Sequence, residues 1–127
     1  MTDIQLILVD PNTALCLAFQ RAFSDLQKVE ILNGYFEQAP DFDCLVSPAN
    51  SFGLMDGGVD AAIIKFFEAE LQSKVQKHIL EVYLGEQPVG SCFILETGNS
   101  KHPYLANTPT IRVPMEISRT DNIYRAM

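Results

Sequence analysis

The 127-residue sequence is poor in positive charge, with 9 Lys and Arg against 16 Asp and Glu and a formal net charge of −7. It has no clustered Lys and Arg to follow a phosphate backbone, so general nucleic-acid binding is not expected. A phosphate-bearing ligand would have to be held by local backbone geometry instead. No apolar run is long enough to cross a bilayer, and the opening "MTDIQLILVDPN" has an acidic residue where a secretory signal would carry Lys or Arg. A cytoplasmic protein that does not engage membranes is the expectation. The three cysteines, Cys16, Cys44 and Cys92, are far apart and lack metal spacing, and His78 and His102 form no zinc pattern with them. They read as small buried hydrophobes, and no metal is expected. The first apolar stretch leads into "VDPNTA" rather than a G-x-G-x-x-G, which disfavours a Rossmann-type nucleotide domain.

What is present fits one domain over residues 1–127, since 47% of the residues are hydrophobic. "IQLILVD" reads as a buried strand followed by the turn and cap chemistry of "PNT". Leu15, Phe19, Ala22, Phe23 and Leu26 recur at helical spacing and predict an amphipathic helix over 13–27. "KVEILNGY" and "DCLVSPA" read as the second and third strands, with the polar loop "FEQAPDF" before the latter. Val59, Ile63, Phe66, Phe67, Leu71, Val75, Ile79 and Val82 share one face and predict a single long helix ending near "YLGEQP". "PVGSCFILET" and "TIRVPM" read as a fourth and a fifth strand, joined by the loop "GNSKHPYLANTP". Thr120 and Asp121 sit where caps open a last helix. Strands alternating with helices imply a layered α/β fold whose sheet is covered on both faces, with ligands bound outside the carboxyl ends of the strands.

The junction "DCLVSPANSFGLMDGGVDAAI" lies at such an end. Gly57 and Gly58 stand just before a helix, so their N–H groups and those of Val59 and Asp60 are the unpaired donors of a helix N-terminus. A diphosphate is the natural guest of that geometry. A tight strand-to-helix turn needs glycine with or without a ligand, and that alternative stays open. Asn50 can offer a donor and an acceptor to a hydroxylated ligand, or form an Asx turn in its own loop. Asp60 can act on a ligand, or simply be an acid favoured by the dipole of the first helical turn.

With "SPAN" after an apolar strand and "GGVDAAI" after a glycine loop, this stretch resembles the signature of macro domains, the ADP-ribose-binding modules. "GSCFILETGNSKHPYLANTPTIRVP" resembles the strand, loop and strand that follow in that family. The resemblance implies a three-layer α/β/α macro-domain-like fold with a mixed sheet. It implies ADP-ribose or an ADP-ribosylated substrate as the partner, and no cofactor. Asn50 would face the distal ribose, with Ser51 beside it among the ligand-binding residues, and Gly57, Gly58 and Val59 would offer N–H groups to the diphosphate. Asp60 would orient or activate a water near the anomeric carbon, making Asn50 and Asp60 the catalytic pair of a mono-ADP-ribosyl hydrolase or O-acetyl-ADP-ribose deacetylase.

Where many members carry a Gly–Asp pair that binds adenine, spacing places Gly34 and Tyr35. Tyr35 and Phe36 are then candidates to stack on the base, with Glu37 as the substitute acceptor. A catalytically silent interaction module that keeps the fold is the alternative, favoured by Asp56 beside the glycine pair. The resemblance also implies a second phosphate loop, a strand and a closing helix beyond Met127. The chain is therefore expected to be the N-terminal part of a longer fold, with an uncovered sheet face that invites self-association.

Overall fold

The structure is a computed structural model that describes residues 3–68 and 70–127. The chain falls into two compact units, Met1–Asp41 and Phe42–Met127. Among the described residues no helix is long and apolar enough to cross a membrane.

In the first unit, strands β1 (Leu6–Asp10) and β2 (Val29–Asn33) pair in parallel, with Leu6 opposite Val29 and Asp10 opposite Asn33. Parallel neighbours need a crossover, and helix α1 (Thr13–Phe23) supplies it. Asn12 caps α1 through Oδ1, which accepts the Leu15 N–H at 3.2 Å. The helix is shorter than the expected 13–27, because the chain turns after Phe23, where Leu26 N–H donates to the Phe23 carbonyl. Its inner positions are Cys16, Phe19 and Phe23, while Leu15 and Leu26 are exposed. A short 3₁₀ turn (Phe36–Gln38) ends the unit's regular structure, with Gln38 Oε1 accepting the Tyr35 N–H.

In the second unit, β3 (Cys44–Ser47), β4 (Phe93–Glu96) and β5 (Tyr104–Asn107) form a mixed sheet of order β3-β5-β4. β3 runs parallel to β5 and β4 antiparallel to it. The period-two alternation of a strand sorts its residues between the faces. Leu45, Ser47, Phe93, Leu105 and Asn107 point to one face, which helices α2 (Gly58–Phe67) and α3 (Glu70–Tyr83) cover through Asp60 against Ser47 and His78 against Phe93. On the other face Val46 is 55% and Ile94 61% exposed, and Tyr104 is exposed beside them. This unit's own helices thus cover one face of its sheet, not both. The core beneath them is Ile63, Phe67, Leu71, Val75, Ile79 and Leu105.

Three expectations need correction. "TIRVPM" is not a strand, and the fifth strand is Tyr104–Asn107, inside the stretch read as a loop. Pro109 and Pro114 flank the apolar run and have no N–H for a ladder, leaving a single bridge between Ile111 and Asn50. Leu105 and Ala106 are the buried pair instead. The expected long helix is two helices, interrupted at Glu68, whose φ is +79°. Apolar residues every four positions from Ile63 to Ile79 would walk about 40° per step around a straight helix, so by Ile79 the stripe would leave the core. The interruption re-aims it. Lastly, Cys16 is buried as expected, but Cys44 and Cys92 are exposed. Cys44 shares the outward face with Val46, by the same alternation.

The chain closes with helix α4 (Asn122–Ala126) after Asp121, without a side-chain cap bond from Asp121. Thr120 Oγ1 instead accepts the Asn122 N–H.

Candidate functional site

The carboxyl ends of the parallel strands β3 and β5 lie side by side, with Ser47 opposite Asn107. Beyond β3 the chain makes a tight loop, residues 48–57, before α2. Asn50 organises the loop with its own amide: Oδ1 accepts the N–H groups of Phe52 at 3.1 Å and Leu54 at 3.2 Å, and Nδ2 donates to the Leu54 carbonyl at 2.7 Å. Those bonds are of the Asx-turn kind. They use both acceptor positions of Oδ1 and one of the two Nδ2 hydrogens.

The loop is fastened on every side. Ser51 is buried, its N–H donating to the Ile111 carbonyl at 3.1 Å and its carbonyl accepting from Gln87 N–H at 2.8 Å. Gly53 has φ +66°, and a Cβ there would stand 2.9 Å from Val75 Cγ1, so only glycine lets the loop lie against α3. Met55 is buried, and its N–H donates to Gln72 Oε1 of α3 at 2.9 Å. Outside, the Arg112 guanidinium lies over the Phe52 ring, 5.3 Å from its centroid, and pairs with Glu86.

The glycine pair differs from Gly53. A Cβ added at Gly57 or at Gly58 would meet nothing within 4 Å. Gly58 has φ +56°, which favours glycine, but Gly57 has φ −146°, which any residue adopts. Gly57 caps α2 without a side-chain bond, and among the described residues no side chain is seen to bond the first N–H groups of the helix. Val59 is exposed at that opening.

In the first turn of α2, Asp60 is 7% exposed, and Ser47 Oγ donates to its Oδ1 at 2.7 Å. Burial pushes the Asp60 carboxyl above the usual aspartate value, the Ser47 hydrogen bond pulls it down, and the charge of Asp56 adds a smaller upward push. Asn107 is fully buried next to Ser47 in register, and its Oδ1 has no hydrogen-bond partner among the described residues. Among those residues no three of His, Cys, Asp and Glu stand together as metal ligands.

The structure therefore brings Asn50, Ser51, Gly57, Gly58, Val59 and Asp60 together around one strand end. Tyr35 and Phe36 belong to the first unit, where Tyr35 is 63% exposed and Phe36 is buried. Sequence reasoning missed Ser47, Gln87 and Asn107. The signal for Ser47 was a polar residue at an inward position of "CLVS", and for Asn107 the same in "YLAN".

A family model described as "Macro domain" matches residues 46–127, a span that holds every one of the strand-end residues just named. An uncharacterized protein of Aquifex aeolicus (strain VF5) is 31% identical over 98 residues, 77% of this chain and 55% of that protein. The chain thus spans about half the length of the curated relative it matches. Among solved structures, a variant of the Oceanobacillus iheyensis macrodomain with ADPR matches at a TM-score of 0.51 and 24% identity, over 55% of this chain and 38% of that one. Two further variants of the same macrodomain match at TM-scores of 0.51 and 0.55, with 25% and 24% identity, over 55% and 68% of this chain and 36% and 49% of theirs. With its strand-end loop, its open glycine pair and a family match over most of its length, the chain belongs to the macro domain family.

Proposed function

We propose that this chain binds ADP-ribose at the carboxyl end of β3 and hydrolyses an ADP-ribosyl linkage there. The observation that carries the binding is the empty space at Gly57 and Gly58. Neither packing nor, at Gly57, backbone conformation requires glycine, whereas an anion approaching the first N–H groups of α2 does. The diphosphate would sit on those N–H groups, and the unused Nδ2 hydrogen of Asn50 would donate to a hydroxyl of the distal ribose.

Asp60 is the group suited to the chemical step. Water adds to the anomeric carbon and its proton passes to the Asp60 carboxylate. The bond from that carbon to the linking oxygen breaks, the electron pair leaves on that oxygen, and the oxygen then takes the proton. The carboxylate also offsets the positive charge that develops on the sugar. General-base assistance of this kind is worth ~10²–10⁴-fold in rate.

Binding without turnover is the second reading, favoured by the burial of Asp60, which holds its carboxyl protonated to higher pH than usual. A protonated carboxyl cannot take the water's proton. Isothermal titration of ADP-ribose, with AMP and ribose 5-phosphate as controls, tests the binding, which is expected to be of the order of micromolar for ADP-ribose alone. Gly58→Glu should abolish it, and unchanged affinity in that variant would remove the phosphate assignment. Asp60→Ala should keep binding and lower turnover at least about tenfold, and no turnover by the native chain at any pH would leave binding alone.

A further inference from the structure

Among the described residues, Ser47 carries the one buried hydroxyl that bonds the Asp60 carboxyl. It stands on the inner face of β3, fully buried, at the end of the parallel pairing with β5. A strand residue facing an apolar core loses free energy by carrying a hydroxyl unless that group is hydrogen-bonded. The Ser47 hydroxyl spends its proton on Asp60 Oδ1 at 2.7 Å.

The donor is held rigidly. The Ser47 carbonyl is gripped twice by Thr108, whose N–H donates at 3.0 Å and whose Oγ1 donates at 2.9 Å. Both bonds come from the β5 side, where the β3–β5 ladder holds the rest of the strand as well. Asp60, on the first turn of α2, thus meets a fixed donor on the sheet across the helix–sheet boundary.

We propose that Ser47 is the positioning residue of Asp60, holding Oδ1 so that Oδ2 is the carboxylate oxygen turned to the ribose and its attacking water. The inference rests on the ADP-ribosyl hydrolase reading of the site. Asp60 Oδ2 has no hydrogen bond among the described residues, so a single carboxylate oxygen is left for the ligand side. A charge-assisted bond from a fixed hydroxyl restricts the carboxyl rotation and favours the ionised form, which is the form a base needs. Asp56, in the loop before α2, is the charged group that acts on Asp60, and it acts in the opposite direction.

The experiment uses the 127-residue chain with Ser47→Ala, and with Ser47→Thr, which keeps the hydroxyl. The Asp60 carboxyl is titrated by ¹³C NMR, assigned with Asp60→Asn, and ADP-ribose affinity and turnover are followed across pH. Ser47→Ala is expected to move the Asp60 midpoint upward and shift the acid limb of the turnover profile with it. It should lower turnover roughly tenfold while affinity changes less than about twofold, and Ser47→Thr should restore all three. An Asp60 midpoint identical in the native chain and Ser47→Ala overturns the proposal whatever the activity. If Ser47→Ala does not fold, the same titration on Ser47→Cys, a weaker donor of similar size, must show the upward move. A midpoint that moves in Ser47→Ala while the native chain neither binds ADP-ribose nor cleaves overturns instead the hydrolase reading, and the positioning role with it.

Discussion

Gln87 and Asn107, both fully buried, hold each other by two hydrogen bonds: Asn107 Nδ2 donates to Gln87 Oε1 at 2.8 Å, and Gln87 Nε2 donates to the Asn107 carbonyl at 3.1 Å. The Gln87 backbone N–H also donates to the Ser51 carbonyl. One residue after α3 therefore ties the end of β5, through its side chain, to the loop of the candidate site, through its backbone.

Gln87→Leu should cost about 2–4 kcal/mol, because it leaves the Asn107 amide buried without its acceptor while Asn107 Oδ1 is already unpaired. Urea denaturation of the two chains measures it. A cost below about 0.5 kcal/mol would mean that water reaches the Asn107 amide.

Asp60→Asn should stabilise the protein at neutral pH. The folded carboxyl titrates above the ordinary aspartate value, so the native state binds the proton more tightly than the unfolded chain does. Stability is then lost as pH rises from the ordinary aspartate range through the raised value, and a neutral amide removes that loss. A gain is expected near neutrality and close to nothing at the acid end, at the expense of turnover. Denaturation midpoints of both chains across pH decide it, and parallel curves would contradict the raised value.

Gly53→Ala and Gly57→Ala should separate folding from binding. At Gly53 the positive φ and the contact with Val75 and Ile79 make alanine cost about 1–3 kcal/mol. At Gly57 the extended φ and the free space should leave stability unchanged or slightly raised, while ADP-ribose affinity falls. Equal affinity in Gly57→Ala would show that nothing approaches that backbone closely.

Glu68→Gly should stabilise the protein by about 1 kcal/mol. Glu68 has φ +79° and ψ +159°, a region that glycine enters freely and L side chains rarely do. Thermal unfolding of the variant is the check, and a lower Tm would mean that the Glu68 side chain contributes more than its backbone conformation costs.

The strand-end loop could be recognised in the sequence because its chemistry is local. The apolar run ending in "SPAN", the glycine pair and the acid three residues on mark a strand end, a turn and a helix start within one short segment. β1, α1, β2, β3 and β4 were legible for the same reason, though their bounds ran too long. "YLAN" and "TIRVPM" could not be ranked that way. Both are short and partly apolar, and what separates them is the ladder that Tyr104–Asn107 makes with β3 and β4 at once. Glu68 gave no warning either, since "EAE" has good helix formers; the packing of both helices on one core imposed the interruption.

By itself the sequence determined the family and the residues of the strand-end loop, since spacing along the chain fixes which groups share a turn or the first turn of a helix. The tertiary structure decided what those groups are bonded to. Asn50 turns its amide into its own loop, Ser51 is buried, and Asp60 finds Ser47 thirteen residues away. Contacts across the helix–sheet boundary depend on register and packing, which hydrophobic periodicity does not encode.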